Sequence, residues 1–585
     1  MHPRDVPFRR SVLRRAPLNT VRRASSTLHR HVPTLIAALL VTALRWWTAH
    51  RREVFHVRPD EPGQLAIARF IGRGARWNMF DHSTWRPAYG ALISPTTWFT
   101  DDPTTMFRSA LAVNAVLGGL ACVLLAVLAH RLTGLSRVTS AVLATVTVAA
   151  PSVLFTTNWV WSESLVQVAF LLVVVAALRF SDTMSLRWGL ALVLGVALGF
   201  ATHSRLLPLA ALAVGLIVLG ARRRALRLRR AGALLALLGA SLAGVSAFST
   251  YVVDHVWDDP ASTNTAGGVI GRIGHVGALG QSVLGQLWYQ LVATAGLAGL
   301  GAIALSRAAV RRRAAVPRTA DARIVLASVA PLVALSVVFM TDRWRPDQIV
   351  YGRYNDAVMG PVVLAGLGAV LASSRRRLLR EGLAVVTVAV AVGAVLRVTS
   401  DDDLQAEPLL RPMVIGVVAF VRTGRLAVWN VTVAAAIVML VGLVVVAVVR
   451  SGRWRHAAAL AFVAVLLVVG YRRTQPPLDS ALNAWAGARA VEEVRGTLLP
   501  AGEPVRGRFV TDSSVRPGVQ RLRASLYEFY LPENAMYVDG RVPGGRWTPY
   551  VFAPVDDVGL RAAGAELVWR DPDVAIGLWV ERAPS

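Results

Sequence analysis

Long apolar runs decide what this chain can fold into. About thirteen windows of roughly 17–24 residues are apolar enough to cross the hydrocarbon layer as helices. They begin with Pro33–Ala49 and end with Ala457–Tyr471, and include Val138–Phe155, Trp288–Ser306 and Ala357–Ser373. Trp188–Thr202 and Gly382–Leu396 are the shortest, and Pro412–Phe420 reads as an interfacial segment. Hydrophobic residues make up 54% of the 585, and the mean hydropathy is +0.50. The expected fold is mostly α, a polytopic membrane helix bundle over residues 33–471.

The formal net charge of +28 would suggest nucleic acid in a soluble protein. Here the basic residues are all arginine and cluster between apolar runs, without a binding motif, so they read as topology signals and no nucleic-acid partner is expected. With the N-terminus inside, the inner loops carry Arg222-Arg223-Arg224, Arg311-Arg312-Arg313, Arg375-Arg376-Arg377 and Arg450, Arg453 and Arg455. Asp254, Asp258-Asp259, Asp342, Asp347 and Asp401-Asp402-Asp403 then face outward. Residues 1–32 become a basic cytoplasmic N-terminus, and the first run is expected to be retained as a span. The odd count puts the C-terminus outside, in a plasma membrane whose lipid is the first partner. The single cysteine, Cys122, lies in an apolar run, so disulfides cannot brace an external domain.

The composition changes after Tyr471. Residues 472–585 read as a polar linker (Arg472 to Leu478), a helix (Ala481–Leu499), a strand (Gly507–Thr511), a helix (Val519–Leu531) and a strand (Ala535–Val538). Tyr550–Ala553, a helix near Val558–Ala565 and a strand near Ala575–Val580 follow. This alternation predicts a small extracytoplasmic α/β domain.

Candidate chemistry collects in the first outer loop, residues 50–107. Asp60 and Glu61 precede Pro62, and Leu65, Ile67, Ala68, Phe70 and Ile71 supply one apolar side of a short surface helix ended by Gly72 and Gly74. Acids at a helix N-terminus are held charged by the dipole. Either they are a solvated cap, or one is a base at the membrane surface. Gln64, Trp77, Asp81, His82, Trp85, Arg86, Tyr89 and Trp98 share the loop; its aromatics suit belt anchoring or stacking on sugar rings, and its arginines suit phosphate. Glu163, His203 and Arg205 lie at outer ends of later spans, as do Arg343, Arg345, Arg353 and Tyr354. Charged groups at such depth are costly and mark functional sites, unless they snorkel to the headgroups. Asp101-Asp102 and Asp401-Asp402-Asp403 offer carboxylates to a divalent cation, Mg²⁺ or Ca²⁺, but no ligand spacing specifies one. The glycine-rich stretch from Gly267 to Gly280 follows no strand, which argues against a nucleotide loop.

On these residues the chain resembles the C-type superfamily of integral-membrane glycosyltransferases. Pro59-Asp60-Glu61 with Gln64 is similar to the Pro-Asp-Glu signature of lipid-sugar-dependent mannosyltransferases, and Trp85-Arg86-Pro87-Ala88-Tyr89 falls where those enzymes carry an aromatic-proline segment. Ser162-Glu163, His203-Ser204-Arg205 and Gly352-Arg353-Tyr354 resemble their later polar landmarks. Arg58 stands where a histidine is common, and no acidic metal motif occurs in the second outer loop, which argues against the metal-dependent oligosaccharyltransferase branch. The α/β tail looks like those of actinobacterial arabinofuranosyl- and mannosyltransferases of the cell wall and envelope.

The resemblance implies transfer of a pentose or hexose, arabinofuranose or mannose, from a polyprenyl-phosphate donor to an envelope polysaccharide or glycolipid, with inversion. It implies Asp60 as general base, with Glu61 positioning the acceptor or sharing that role. Arg205 and Arg353, with Arg343 or Arg345, would bind the donor phosphate. Gln64, Trp85, Arg86, Tyr89, Glu163, His203 and Tyr354 would contact sugar or acceptor. Two rivals are a polyprenyl-linked sugar flippase or transporter, which needs charges near span centres, and an envelope scaffold working through its tail.

Overall fold

A helix buried in a bilayer satisfies its own backbone hydrogen bonds, so runs this apolar have essentially one way to cross. The computed structural model describes residues 18–52, 54–55, 60–74, 86–256, 271–311, 318–342, 345–406, 409–421, 425–449, 452–482, 486–508, 514, 517–534, 536–537, 542 and 546–582. Among the described residues, nine helices are long and apolar enough to cross a membrane, from His31–Ala49 to Trp454–Ser480. Three bent helix pairs raise the number to twelve if each is one span, and Leu186–Thr202 is a shorter apolar helix. The chain is a multi-pass membrane protein.

The bends correct the reading of two windows as straight spans. Val138–Phe155 falls on Arg137–Val148 and Pro151–Asn158, bent by 72°, where Pro151 opens the second piece. Trp288–Ser306 falls on Val276–Ala293 and Leu297–Val310, bent by 106°, with Ala295 (φ 47°) and Gly296 (φ 80°) in left-handed backbone. Ala357–Ser373 covers the straight helix Gly360–Ala372, which is bent by 76° from Pro346–Asp356, a piece that lies before the window. Elsewhere glycine lets helices touch. A Cβ on Gly301 would lie 1.9 Å from the Val362 carbonyl oxygen, and one on Gly366 would lie 2.0 Å from that of Leu297.

The tail is a five-stranded mixed sheet: β1 (Val505–Gly507), β2 (Met536–Tyr537), β3 (Tyr550–Pro554), β4 (Glu566–Arg570) and β5 (Ile576–Val580), in the order β2-β1-β3-β5-β4. The helix Pro517–Tyr530 carries the chain from β1 to the parallel β2, and β5 runs antiparallel to β3 and β4. A buried pair fixes this helix to the loop before β5: Arg523 donates to Asp571 from Nε (2.6 Å) and Nη2 (2.7 Å). Tyr527 donates to the same carboxylate, and burial with that negative charge holds its phenol well above the usual range.

Three tail expectations change. The stretch read as a polar linker, Arg472 to Leu478, continues the helix Gly452–Leu482, because Leu478 is buried in a cluster with Phe155, Trp159 and Met413. The helix expected over Ala481–Leu499 is a 3₁₀ segment, Ala486–Val494. Strand β4 was not expected at all; it is an edge strand with mostly exposed side chains. The short helix of the first loop spans Asp60–Arg73 and ends at Gly74 (φ 69°). It is not a surface helix: Glu61 through Arg69 are buried between bundle and tail. Arg69 donates to the Phe529 carbonyl (2.8 Å) and lies over its ring, while Phe55 meets that ring edge-on, 4.7 Å between centroids.

Candidate active site

The acids are treated very differently by their surroundings. Asp60 is the first residue of its helix, at the positive end of the dipole. Glu61 is wholly buried and accepts two parallel bonds from Arg52, 2.7 Å at Nη1 and 2.9 Å at Nη2. The same carboxylate accepts the Val160 N–H at 2.6 Å. Such a two-pronged, charge-assisted pair fixes geometry, so Glu61 locks the helix onto the segment 159–163. Arg52 is held in turn between the rings of Phe107 and Trp159, about 5 Å from each centre. Gln64 lies one turn after Asp60 on the same face; it is buried, with Oε1 unpartnered.

Segment 159–163 carries the site onward. Trp159 and Trp161 stack, 4.5 Å between centroids, and the Arg353 guanidinium lies 3.6 Å over the Trp161 ring. Glu163, the first residue of Glu163–Thr183, accepts from Arg353 Nε at 2.6 Å. Arg205, in the turn before Pro208–Arg222, approaches the same carboxylate oxygen at 4.0 Å and stacks 4.3 Å over Tyr354. His203 accepts the Arg205 backbone N–H at Nδ1 (3.2 Å) and meets Tyr354 edge-on; Tyr351 also meets that ring edge-on, 4.9 Å between centroids. One carboxylate thus faces two guanidiniums.

Arg205 is the anomaly here. It is 2% exposed, and Nε, Nη1 and Nη2 all lack a hydrogen-bond partner. Buried donors left unmade are costly, and three on one charged group match in number and charge what an anion with several acceptor oxygens would satisfy.

The remaining expected residues scatter. Arg86 stacks on Phe200 (4.2 Å) and donates to Ser249, and Tyr89 donates to Asn114 (2.9 Å), whose amide donates to the Trp159 carbonyl (2.6 Å). Arg345 pairs with Asp347 at 3.0 Å. Trp85 and Arg343 lie outside the described residues, as do Trp77, Asp81 and His82. Asp101 pairs with Arg73, and Asp102 caps Pro103–Thr133 by accepting the Thr105 N–H. Among the described residues, no group of three or more His, Cys, Asp or Glu side chains is placed to hold a metal ion. Sequence reasoning passed over Arg52, Trp161 and Tyr351. The signal for Arg52 was its place: Arg51-Arg52 follow the first span on the side where arginine should be scarce.

Comparison with known proteins shows the same architecture elsewhere. ArnT from Cupriavidus metallidurans, in its apo crystal structure, aligns with a TM-score of 0.53 at 15% identity, over 94% of this chain and 98% of that one. Its structure bound to undecaprenyl phosphate gives 0.53 at 14% identity over the same shares. Arabinosyltransferase EmbB from Mycobacterium smegmatis aligns more loosely, with a TM-score of 0.39 at 14% identity, over 77% of this chain and 42% of that one. No family model and no curated protein matches the chain. The fold is similar to that of ArnT over 94% of the chain.

Proposed function

We propose that the chain is a polyprenyl-phosphate-dependent membrane glycosyltransferase of the C-type superfamily. The observation that carries this is Arg205, a buried guanidinium with three unsatisfied nitrogens beside Glu163 and Arg353. An ArnT-like fold supports it, as does the undecaprenyl phosphate held by ArnT itself.

In this reading the donor phosphate sits against Arg205, with Arg353 second. The acceptor hydroxyl oxygen attacks the anomeric carbon from the opposite face, and the carbon–oxygen bond to phosphate breaks with its electron pair going to the phosphate. Arg205 stabilises that developing charge. Asp60 takes the hydroxyl proton. Glu61 holds the Asp60 helix in place through Arg52 and Val160, and the aromatic cluster of Trp161, Tyr351 and Tyr354 stacks on sugar. Arabinofuranose or mannose is the expected donor sugar, an envelope polysaccharide or glycolipid the acceptor, and the outer face of the plasma membrane the location.

The test is release of polyprenyl phosphate from a panel of polyprenyl-phosphate sugars, with and without a short envelope glycan, followed by mass spectrometry. Acceptor-dependent release that is lost in a folded Asp60→Asn variant is the expected result. Near-normal turnover in that variant would sink the assignment of the base. Absence of release with every donor, while labelled lipid crosses liposomes without acceptor, would favour the flippase.

A further inference from the structure

A polar cavity of about 550 Å³ opens at the end of the bundle away from the candidate site. Pro103–Thr133 and Glu163–Thr183 start beside the candidate site and close this cavity with their last turns. At a rise of ~1.5 Å per residue, roughly 30 Å separates Glu163 from Asp182. The first span, Arg137–Val148 and Thr319–Phe339 contribute the remaining walls.

Arg131 lies between two acids here, donating to Asp182 from Nη1 (2.6 Å) and to Asp321 from Nη2 (2.6 Å). Arg318 adds a 3.4 Å contact to Asp182. Arg137 and Arg179 complete the lining, so among the described residues four arginines and two carboxylates line the cavity. Arginines at helix ends ordinarily snorkel singly into the headgroup layer. These four come from four separate elements and converge on one concavity large enough for a small ligand.

The apolar wall indicates where the ligand comes from. Ala126 and Val127 line the cavity, and Val127 is itself exposed. Leu120 and Val116 continue an exposed apolar lane along the same helix, beside the exposed Leu39 and Leu40 of the first span. A free phosphate gains nothing from such a lane, whereas a diacyl lipid lays its chains along it. Basic pockets between membrane helices are suited to anionic headgroups. We infer that this cavity binds the phosphate headgroup of an anionic phospholipid, at a site separate from the donor's.

Delipidated protein in detergent would be titrated with phosphatidylglycerol, phosphatidylcholine or inorganic phosphate, reading bound lipid by native mass spectrometry and stability by thermal melting. Phosphatidylglycerol is expected to stay bound and raise the melting temperature, and phosphatidylcholine to do neither. Replacing two of the exposed arginines together, Arg137→Gln with Arg179→Gln, is expected to weaken phosphatidylglycerol binding by about tenfold or more. Its melting temperature without lipid reports whether that variant is folded; if it is not, the wild-type preference between the two lipids decides. Equal effects of both lipids, or unchanged binding by a folded double variant, would overturn the site. Inorganic phosphate matching the effect of phosphatidylglycerol would overturn the lipid as its occupant.

Discussion

Replacing Arg205 by methionine separates function from stability in opposite directions. The buried guanidinium makes no hydrogen bond, shares Glu163 with Arg353 from 4.0 Å, and gains mainly from stacking on Tyr354. Losing that stacking costs about 0.5–2 kcal/mol. Removing even one unsatisfied buried donor returns about 1–3 kcal/mol. The net expectation for Arg205→Met, whose unbranched side chain keeps most of the stem volume, centres on roughly 1 kcal/mol of stabilisation, within a range from about 1 kcal/mol of destabilisation to about 2.5 kcal/mol of stabilisation. Turnover should move the other way. Loss of one group aimed at developing charge costs about 10²–10³ in kcat, or about 2.7–4 kcal/mol. The assay pairs thermal melting in detergent with polyprenyl-phosphate release, both on ligand-free starting protein. A folded variant with an unchanged or raised melting temperature and nearly abolished release is the expected outcome. A destabilisation of about 3–5 kcal/mol, as when one partner of a satisfied buried ion pair is removed, would refute the reasoning and make Arg205 a structural residue. Normal turnover would refute it equally.

Arg52→Leu leaves the Glu61 carboxylate buried beside the Val160 N–H without its cation, so we expect about 3–5 kcal/mol of destabilisation by thermal melting. The double variant Arg52→Leu/Glu61→Leu should recover much of that stability without recovering transfer activity. Phe529→Ala removes a ring that touches both Phe55 and Arg69; at about 3–5 kcal/mol for a buried phenylalanine, the tail should become cleavable by protease at concentrations that spare the wild type. Gly301→Ala would push a methyl group into the Val362 carbonyl, and a lower melting temperature with unchanged phosphate affinity is expected.

Hydropathy made the bundle legible because a window average needs only composition. It cannot see a bend. The 106° turn after Ala293 depends on Ala295 and Gly296 adopting positive φ, and only packing makes an alanine do so. The tail strands Tyr550–Pro554 and Ile576–Val580 were readable because both are mostly buried, whereas β4, at the sheet edge, offers few buried side chains to betray it. Glu163, Arg205 and Arg353 stood out in sequence as ionisable groups at the ends of apolar runs, and the fold brings them together across 190 residues. What sequence could not divide was the acid pair. Asp60 and Glu61 are adjacent, yet helix geometry turns Glu61 about 100° away, into Arg52 and Val160.

Segment 159–163 has a thermodynamic consequence. Val160 grips the helix that begins with Asp60, while Trp161 and Glu163 grip Arg353, so one short rigid stretch is shared by both halves of the candidate site. Under the proposed function, an anion that draws Arg205 and Arg353 toward itself would pull on the same peptide units that hold the Asp60 helix. Coupling of this kind is reciprocal: whatever factor the donor adds to acceptor affinity, the acceptor must add to donor affinity. Two substrates that never touch before reaction would then, under the proposed function, bind as a cooperative pair.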